Sequence, residues 1–319
     1  MGVVYRATDL KRDTGVAVKL LHPYRASNSV ATQRLAAEGR AGSRVHHPNV
    51  VAVLDIGTAA EGTPFLVMEH VRGRLLDQLI QLEGPVPLRR ASAIVGQILA
   101  GLQALHDAGF VHGDVKSGNV MIDSANGADA IKLIDLGLAH APDATDATEQ
   151  GMVSGTPEFM APEVIRGDGV IPASDIYAAG VVCYQLLTGT TPFEGGTSRE
   201  ILRRHLDDVI VPLSLRCADR NIPSALEHAV MIALQKDPAA RFATAAAFAA
   251  ALAAATPAIE PAALPGERWA TGSTRTSALR RTSLELPARR LRASLLRIPT
   301  SAATADTRPE LGARRAAVR

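Results

Sequence analysis

The densest run of chemistry-bearing side chains is His112-Gly113-Asp114-Val115-Lys116-Ser117-Gly118-Asn119, and Asp135-Leu136-Gly137 begins twenty-one residues after Asp114. A carboxylate can take a proton from a reacting group, and a lysine ammonium can neutralise charge that develops on a substrate. Gly155-Thr156-Pro157-Glu158 and Ala161-Pro162-Glu163 lie downstream, and Ala17-Val18-Lys19 lies far upstream. Each of these has a bland alternative when taken singly. An isolated Asp before a loop is more often a cap or turn residue than a catalyst. A lone surface Lys–Glu pair is worth about 0–1 kcal/mol. Only the order and spacing of the whole set outweigh those readings.

The elements that must position these residues are legible in the apolar pattern. Val3–Ala7 and Val16–Leu21 flank Asp13-Thr14-Gly15, a turn signal, which predicts a β-hairpin with Lys19 on its second strand. A helix is expected over Ala31–Val45, and strands over Val50–Ile56 and Pro64–Glu69. From Leu75 the pattern turns helical: Ala91–Ala108 places Ile94, Ile98, Leu102 and Leu105 near one face, and Gly109 suits a C-terminal cap. Val120–Ile122 and Ile131–Ile134 read as two short strands, and the chain is mostly helical from Pro162 to about Ala255. A β-rich part of some 70 residues followed by a helical part predicts two lobes with a cleft between them.

Composition narrows the classes further. Of 319 residues, 47% are apolar and only 3% aromatic, so a sizeable core is expected, built from aliphatic side chains and alanine. Two cysteines, Cys183 and Cys217, exclude a disulfide scaffold and a cysteine zinc site; they read as buried thiols in a reducing, cytoplasmic setting. No apolar run reaches the length of a membrane span, and the N-terminus lacks the charged and apolar regions of a signal peptide. The net charge of +2 hides an asymmetry: residues 256–319 carry twelve Arg against five acids, or +7, which leaves −5 on the first 255. The division at 255 is therefore the expected boundary between a folded body and a basic Pro/Ser/Thr/Arg-rich flexible tail. Within that tail, Leu284–Leu296 could form a basic amphipathic helix that touches an acidic partner or a membrane surface, and Arg280-Arg281-Thr282-Ser283 places hydroxyls beside arginines.

Together, the ordered motifs resemble the signature set of the protein kinases, and over Met1–Leu252 the chain looks like a bacterial eukaryotic-type (Hanks-type) Ser/Thr protein kinase. The resemblance implies an α+β bilobal kinase-like fold. A small antiparallel sheet with one helix (residues 1–70) would precede a larger, mostly helical lobe (residues 71–255). It implies ATP and Mg²⁺ as cofactors, protein Ser/Thr hydroxyls as substrates and no nucleic-acid partner. Phosphoryl transfer has a loose, highly charged transition state, so catalysis is mainly positioning and charge neutralisation. Asp114 matches the catalytic-loop aspartate and Lys116 the lysine on the γ-phosphate. Asn119 and Asp135 match the Mg²⁺ ligands, with the oxygen atoms that this hard cation prefers. Lys19 matches the lysine on the α/β-phosphates, with Glu38 as its helix partner. Around the adenine, Val4 and Ala17 match the residues above it and Met121 the one below. Met68 matches the gatekeeper, and Glu69 and Val71 the hinge backbone. Thr156 lies in the substrate segment and argues for Ser/Thr over Tyr specificity. His112, Asp175, Gly180 and a Glu163–Arg241 pair match structural positions.

Three departures from the family pattern stand out. Gly113 replaces the arginine that normally precedes the catalytic aspartate and binds activation-loop phosphate. Gly39 and Gly42 flank Glu38, each costing about 1 kcal/mol against alanine in a helix, which predicts a loosely held helix with a gap at Gly42. Of the glycine-rich loop only Gly2 and the Val4 position are present, so a front-truncated loop and a strand left at the sheet edge are expected. The competing readings are a pseudokinase acting as a binding or scaffolding module, and a small-molecule phosphotransferase. The intact Lys19, Asp114, Asn119 and Asp135 oppose the first, and the Gly155–Glu163 segment opposes the second.

Overall fold

A computed structural model describes residues 3–21, 29–59, 62–125, 127–136 and 156–256. Gly2, Gly137, Gly155 and the basic tail beyond residue 256 lie outside the described residues, as do Thr145, Thr148 and Ser154. The first lobe opens with the expected hairpin, β1 (Val3–Asp9) and β2 (Thr14–Leu20), in register from Val3↔Leu20 to Asp9↔Thr14. Asp9 shapes its turn by accepting a hydrogen bond from the Lys11 amide (2.9 Å). β3 (Val53–Thr58) and β4 (Pro64–Glu69) complete an antiparallel sheet of order β1-β2-β4-β3, with β1 at one edge.

Helix α1 (Ser29–Arg44) packs across β3 and β4. Leu21, Leu35, Val51, Leu66 and Met68 form the small core beneath it. The gap expected at Gly42 is not found. A Cβ at Gly42 would lie 2.2 Å from Val53 Cγ2 and 3.1 Å from Val53 Cβ, and one at Gly39 would lie 2.4 Å from Ile56 Cδ1. Both glycines are points of close approach, filled by side chains of β3, so the helix trades propensity for contact with the sheet.

The second lobe is built on α2 (Leu76–Glu83), α3 (Leu88–Asp107), α4 (Pro162–Arg166), α5 (Pro172–Thr188), α6 (Ser198–Asp207), α7 (Leu213–Arg216), α8 (Ser224–Ala233) and α9 (Ala245–Ala255). α3 buries the expected stripe of Ile94, Ile98, Leu102 and Leu105 and ends at Gly109, whose φ of 78° only glycine adopts at no cost. α5 is buried nearly all round and packs on α3 and α8. The core is aliphatic as composition requires: Tyr177, Tyr184 and Phe248 are the aromatic residues among its largest fully buried side chains. A second sheet, β5 (Arg74–Leu75), β6 (Val120–Asp123) and β7 (Ala130–Leu133), lies in antiparallel order β5-β6-β7.

The lobes are joined by backbone. The Val51 amide donates to Leu133 O (2.9 Å), and the Leu133 amide donates to Asn49 O (2.8 Å). Glu69, at the end of β4, accepts from the Ala52 amide (2.8 Å) and from Lys132 Nζ on β7 (2.7 Å). No helix among the described residues is long and apolar enough to cross a membrane.

Candidate active site

Two clusters of charged side chains adjoin at the junction of the lobes. The first centres on Lys19. Its Nζ donates to Glu38 Oε2 (2.7 Å) and Oε1 (2.9 Å) on α1, and to Asp135 Oδ1 (2.5 Å) beyond β7. Glu38 is 2% exposed, so the ion pair is held in a desolvated place where its charges act strongly. Burial would lower the Lys19 pKa, but Glu38 and Asp135 outweigh it and raise it, so the ammonium stays charged. Burial likewise opposes the charge on Asp135, and Lys19 outweighs it, holding that carboxyl below its ordinary value. Asp135 is also one of three non-glycine residues with positive φ among those described, at 62°. An L-residue pays on the order of 1–2 kcal/mol for that backbone, and the bond to Lys19 helps to hold it.

The second cluster lies on the loop between α3 and β6. Asp114 Oδ2 accepts from Lys116 Nζ (2.7 Å) and from Asn119 Nδ2 (2.9 Å). Lys116 Nζ also donates to Thr156 Oγ1 (2.9 Å), which ties the loop to the Pro157–Phe159 turn. The Ile134 amide donates to Asn119 O (2.9 Å), and this sets Asn119 beside the start of the Asp135 segment. Because the Asn119 amide nitrogen is committed to Asp114, its Oδ1 is left as an acceptor. Asp135 Oδ2 likewise has no hydrogen-bond partner among the described residues. One carboxylate oxygen and one amide oxygen are the donor set that a hard divalent cation takes up, so these residues fit Mg²⁺.

The loop is held from below. Asp175, 1% exposed on α5, accepts from the His112 amide (2.9 Å), the Gly113 amide (2.8 Å) and His106 Nε2 (2.8 Å). The structural pair expected at Glu163 and Arg241 is bidentate, at 2.8 and 2.7 Å, and Ser174 Oγ adds a bond to Glu163 (2.7 Å).

Three of the residues expected around the adenine, Val4, Ala17 and Met68, fall on one pleat. β1–β2 and β2–β4 pairing sets Val4 opposite Lys19 and Ala17 opposite Met68, so these four share a face of the sheet. Met68 is buried, whereas Val4 is 57% exposed. Val71 packs against the small-lobe core, and Met121 is half-buried on β6 opposite Leu75. The Glu69 amide donates to Ala52 O (3.0 Å), which leaves only its carbonyl for an external partner.

Two contacts and one backbone conformation escape the sequence. Lys132–Glu69 joins residues 63 positions apart, His106 adds a third donor to Asp175, and Gly113 has a φ of 75°. The chain-order motifs carry no signal for the first two. The third is foreshadowed only by the presence of a glycine.

A family model described as "Protein kinase domain" matches residues 1–252. Among curated proteins, the chain is 40% identical over 253 residues to the serine/threonine-protein kinase pkn3 of Myxococcus xanthus, a match covering 78% of this chain and 46% of that protein. It is 36% identical over 250 residues to the serine/threonine-protein kinase PknB of Mycobacterium leprae, covering 77% and 39%. The chain thus spans less than half the length of these two relatives. Among solved structures, the PknI kinase domain of Mycobacterium tuberculosis is similar with a TM-score of 0.60 at 26% identity, covering 80% of this chain and 91% of that one.

Proposed function

The chain belongs to the family of protein kinase domains, and on that premise we propose that it is a Ser/Thr protein kinase that transfers the ATP γ-phosphate to protein hydroxyls. The observation that carries this reading is the Lys19 ammonium suspended between Glu38 and Asp135. The Asp114–Lys116–Asn119 cluster adjoins it where the Ile134 amide, next to Asp135, bonds Asn119 O. Lys19 binds and orients the α/β-phosphates while Glu38 fixes its position. Asp114 orients the attacking hydroxyl and accepts its proton, and Lys116 neutralises charge on the transferred group. Asn119 and Asp135 would hold Mg²⁺, which when bound supplies further neutralisation of phosphate charge. Val4, Ala17, Met68 and Met121 would enclose the adenine, with the Glu69 carbonyl and the Val71 amide on its edge. Gly2, outside the described residues, would contribute the glycine-rich loop.

The Lys116–Thr156 bond supports Ser/Thr specificity, since it joins the segment expected to take the substrate to the loop that carries Asp114. We place the catalytic body at residues 1–255, with residues 256–319 as a basic tail. Both cysteines are buried free thiols, which supports a cytoplasmic, reducing location. The alternative of a pure binding module is disfavoured by the complete charged set. The test is transfer of labelled γ-phosphate from Mg²⁺–ATP to dephosphorylated casein. Asp114→Asn is expected to reduce it by roughly 10²-fold or more while leaving the fold intact. Undiminished transfer by that variant would overturn the assignment.

A further inference from the structure

Helix α6 carries a histidine that stands outside both charged clusters. His205 is 0% exposed. Its Nδ1 lies 2.7 Å from the Tyr177 hydroxyl on α5, and its Nε2 lies 3.1 Å from the Glu158 carbonyl in the Pro157–Phe159 turn. A carbonyl can only accept, so Nε2 carries the hydrogen and donates to Glu158 O. In the neutral ring Nδ1 then accepts from Tyr177. Burial and the nearby Lys236 lower the His205 pKa to about 4, in agreement with a neutral ring. Its orientation is fixed on further sides. Phe193 packs edge-on at 5.0 Å, and Lys236 Nζ, 4.8 Å over the Phe193 ring, donates to His205 O (2.7 Å). Tyr177 is fully buried in turn and lies beneath Arg241, whose guanidinium is locked onto Glu163.

We infer that His205 is a positioning residue for the protein substrate: it clamps the turn that follows Thr156 onto the core of the large lobe. Beside the packing of Phe159 on the core, two side-chain hydrogen bonds anchor the turn. Lys116 holds it at Thr156 Oγ1 from the catalytic loop, and His205 holds it at Glu158 O from α6. Releasing the second anchor lets the turn rock about the first. That shifts a surface joined to Asp114 through Lys116, whereas none of the turn's hydrogen bonds reaches the Lys19–Glu38–Asp135 cluster. His205 therefore acts on the protein substrate and not on ATP. The inference rests on the kinase reading above and assigns a specific part of it to α6.

Initial rates against casein at saturating ATP, and against ATP at saturating casein, test it. His205→Leu keeps the bulk and removes both hydrogen bonds. It is expected to lower kcat/KM for casein about tenfold while leaving the ATP KM within about twofold. His205→Gln, which retains an N–H toward Glu158 O, is expected to recover most of that loss. Tyr177→Phe, which removes only the hydroxyl that aligns Nδ1, is expected to show a smaller loss in the same direction. A casein kcat/KM for His205→Leu equal to the wild type, or an ATP KM that rises in step, overturns the inference. If melting shows that His205→Leu does not fold, Tyr177→Phe decides by the same two criteria. Absence of transfer by the wild type overturns the kinase reading and this inference with it, whereas intact transfer with no response at His205 overturns this inference alone.

Discussion

Replacing Gly42 by alanine sets two physical arguments against each other. Helix propensity alone says that Gly42→Ala, in the interior of α1, stabilises the protein by about 1 kcal/mol. The packing says the opposite. The new methyl would sit 2.2 Å from Val53 Cγ2 and 3.1 Å from Val53 Cβ, where carbon atoms prefer about 3.5–4.0 Å. Turning the Val53 side chain moves Cγ2 but not Cβ, which the strand backbone carries, so the helix must retreat from β3. Overpacking of this kind costs about 1–3 kcal/mol, and the net expectation is a destabilisation of about 1 kcal/mol. For a domain of this size that lowers Tm by about 2–4 °C. Glu38 is one helical turn before Gly42 and rides with the helix, so its grip on Lys19 loosens. A displacement near 1 Å can cost on the order of 10²-fold in rate.

Two controls isolate the cause. At Gly96, inside α3, an added methyl would meet nothing within 4 Å, so Gly96→Ala should express the propensity gain alone, raising Tm by about 2–4 °C with no change in rate. Gly39→Ala meets chiefly the tip of Ile56, a side chain that is 46% exposed and able to swing outward, so its effect should fall between the two. Calorimetric melting and casein phosphorylation are measured on all three. If Gly42→Ala melts at or above the wild type with undiminished activity, the close-approach argument fails and the glycine is the gap that the sequence suggests.

Two further outcomes are expected. Burial alone would raise the Glu163 pKa, but the hydrogen bonds from Arg241 and Ser174 outweigh it and hold the carboxyl below its ordinary 4.5. A folded-state pKa below the unfolded one contributes stability that is present above the unfolded value and is lost as pH falls through the folded one. The wild type should therefore lose Tm below about pH 5. Glu163→Gln should melt lower at neutral pH and lose less on acidification; parallel melting curves would refute the linkage. Second, Gly113 offers no guanidinium to an activation-loop phosphate. Replacing Thr145, Thr148 and Ser154 together by Ala should leave casein phosphorylation within about threefold of the wild type, since no charge-assisted pair of the usual kind is lost. A collapse in rate would refute that expectation.

What can be read from the chain alone follows from the range over which each signal acts. The hairpin, the apolar stripe of α3 and the Lys19–Glu38 pair are written in local alternation, 3.6-residue spacing or ordered motifs, and all three are found where the pattern puts them. Gly39 and Gly42 mislead for a physical reason. An absent side chain looks the same in a sequence whether it leaves a void or admits a neighbour, and only the positions of Val53 and Ile56 distinguish the two. Lys132–Glu69 and His205–Glu158 are contacts between elements far apart in the chain, one of them to a backbone carbonyl that has no residue-specific trace.

Residue 113 shows how a departure from the family pattern is accommodated. The backbone there has φ 75°, which costs an L-residue on the order of 1–2 kcal/mol and glycine almost nothing. The loop bearing Asp114 does not depend on a side chain at 113 for its shape, because Asp175 takes the amides of both His112 and Gly113 from the buried face of α5. Asp175 in turn is held by His106 on α3, so the two central helices of the large lobe fix the loop through one carboxylate. An arginine at 113 would pay the backbone strain and could offset it through a phosphate; glycine forgoes both the strain and the phosphate contact. The geometry of Asp114 is set by Asp175 and the helices beneath it, and it does not call on a guanidinium at 113.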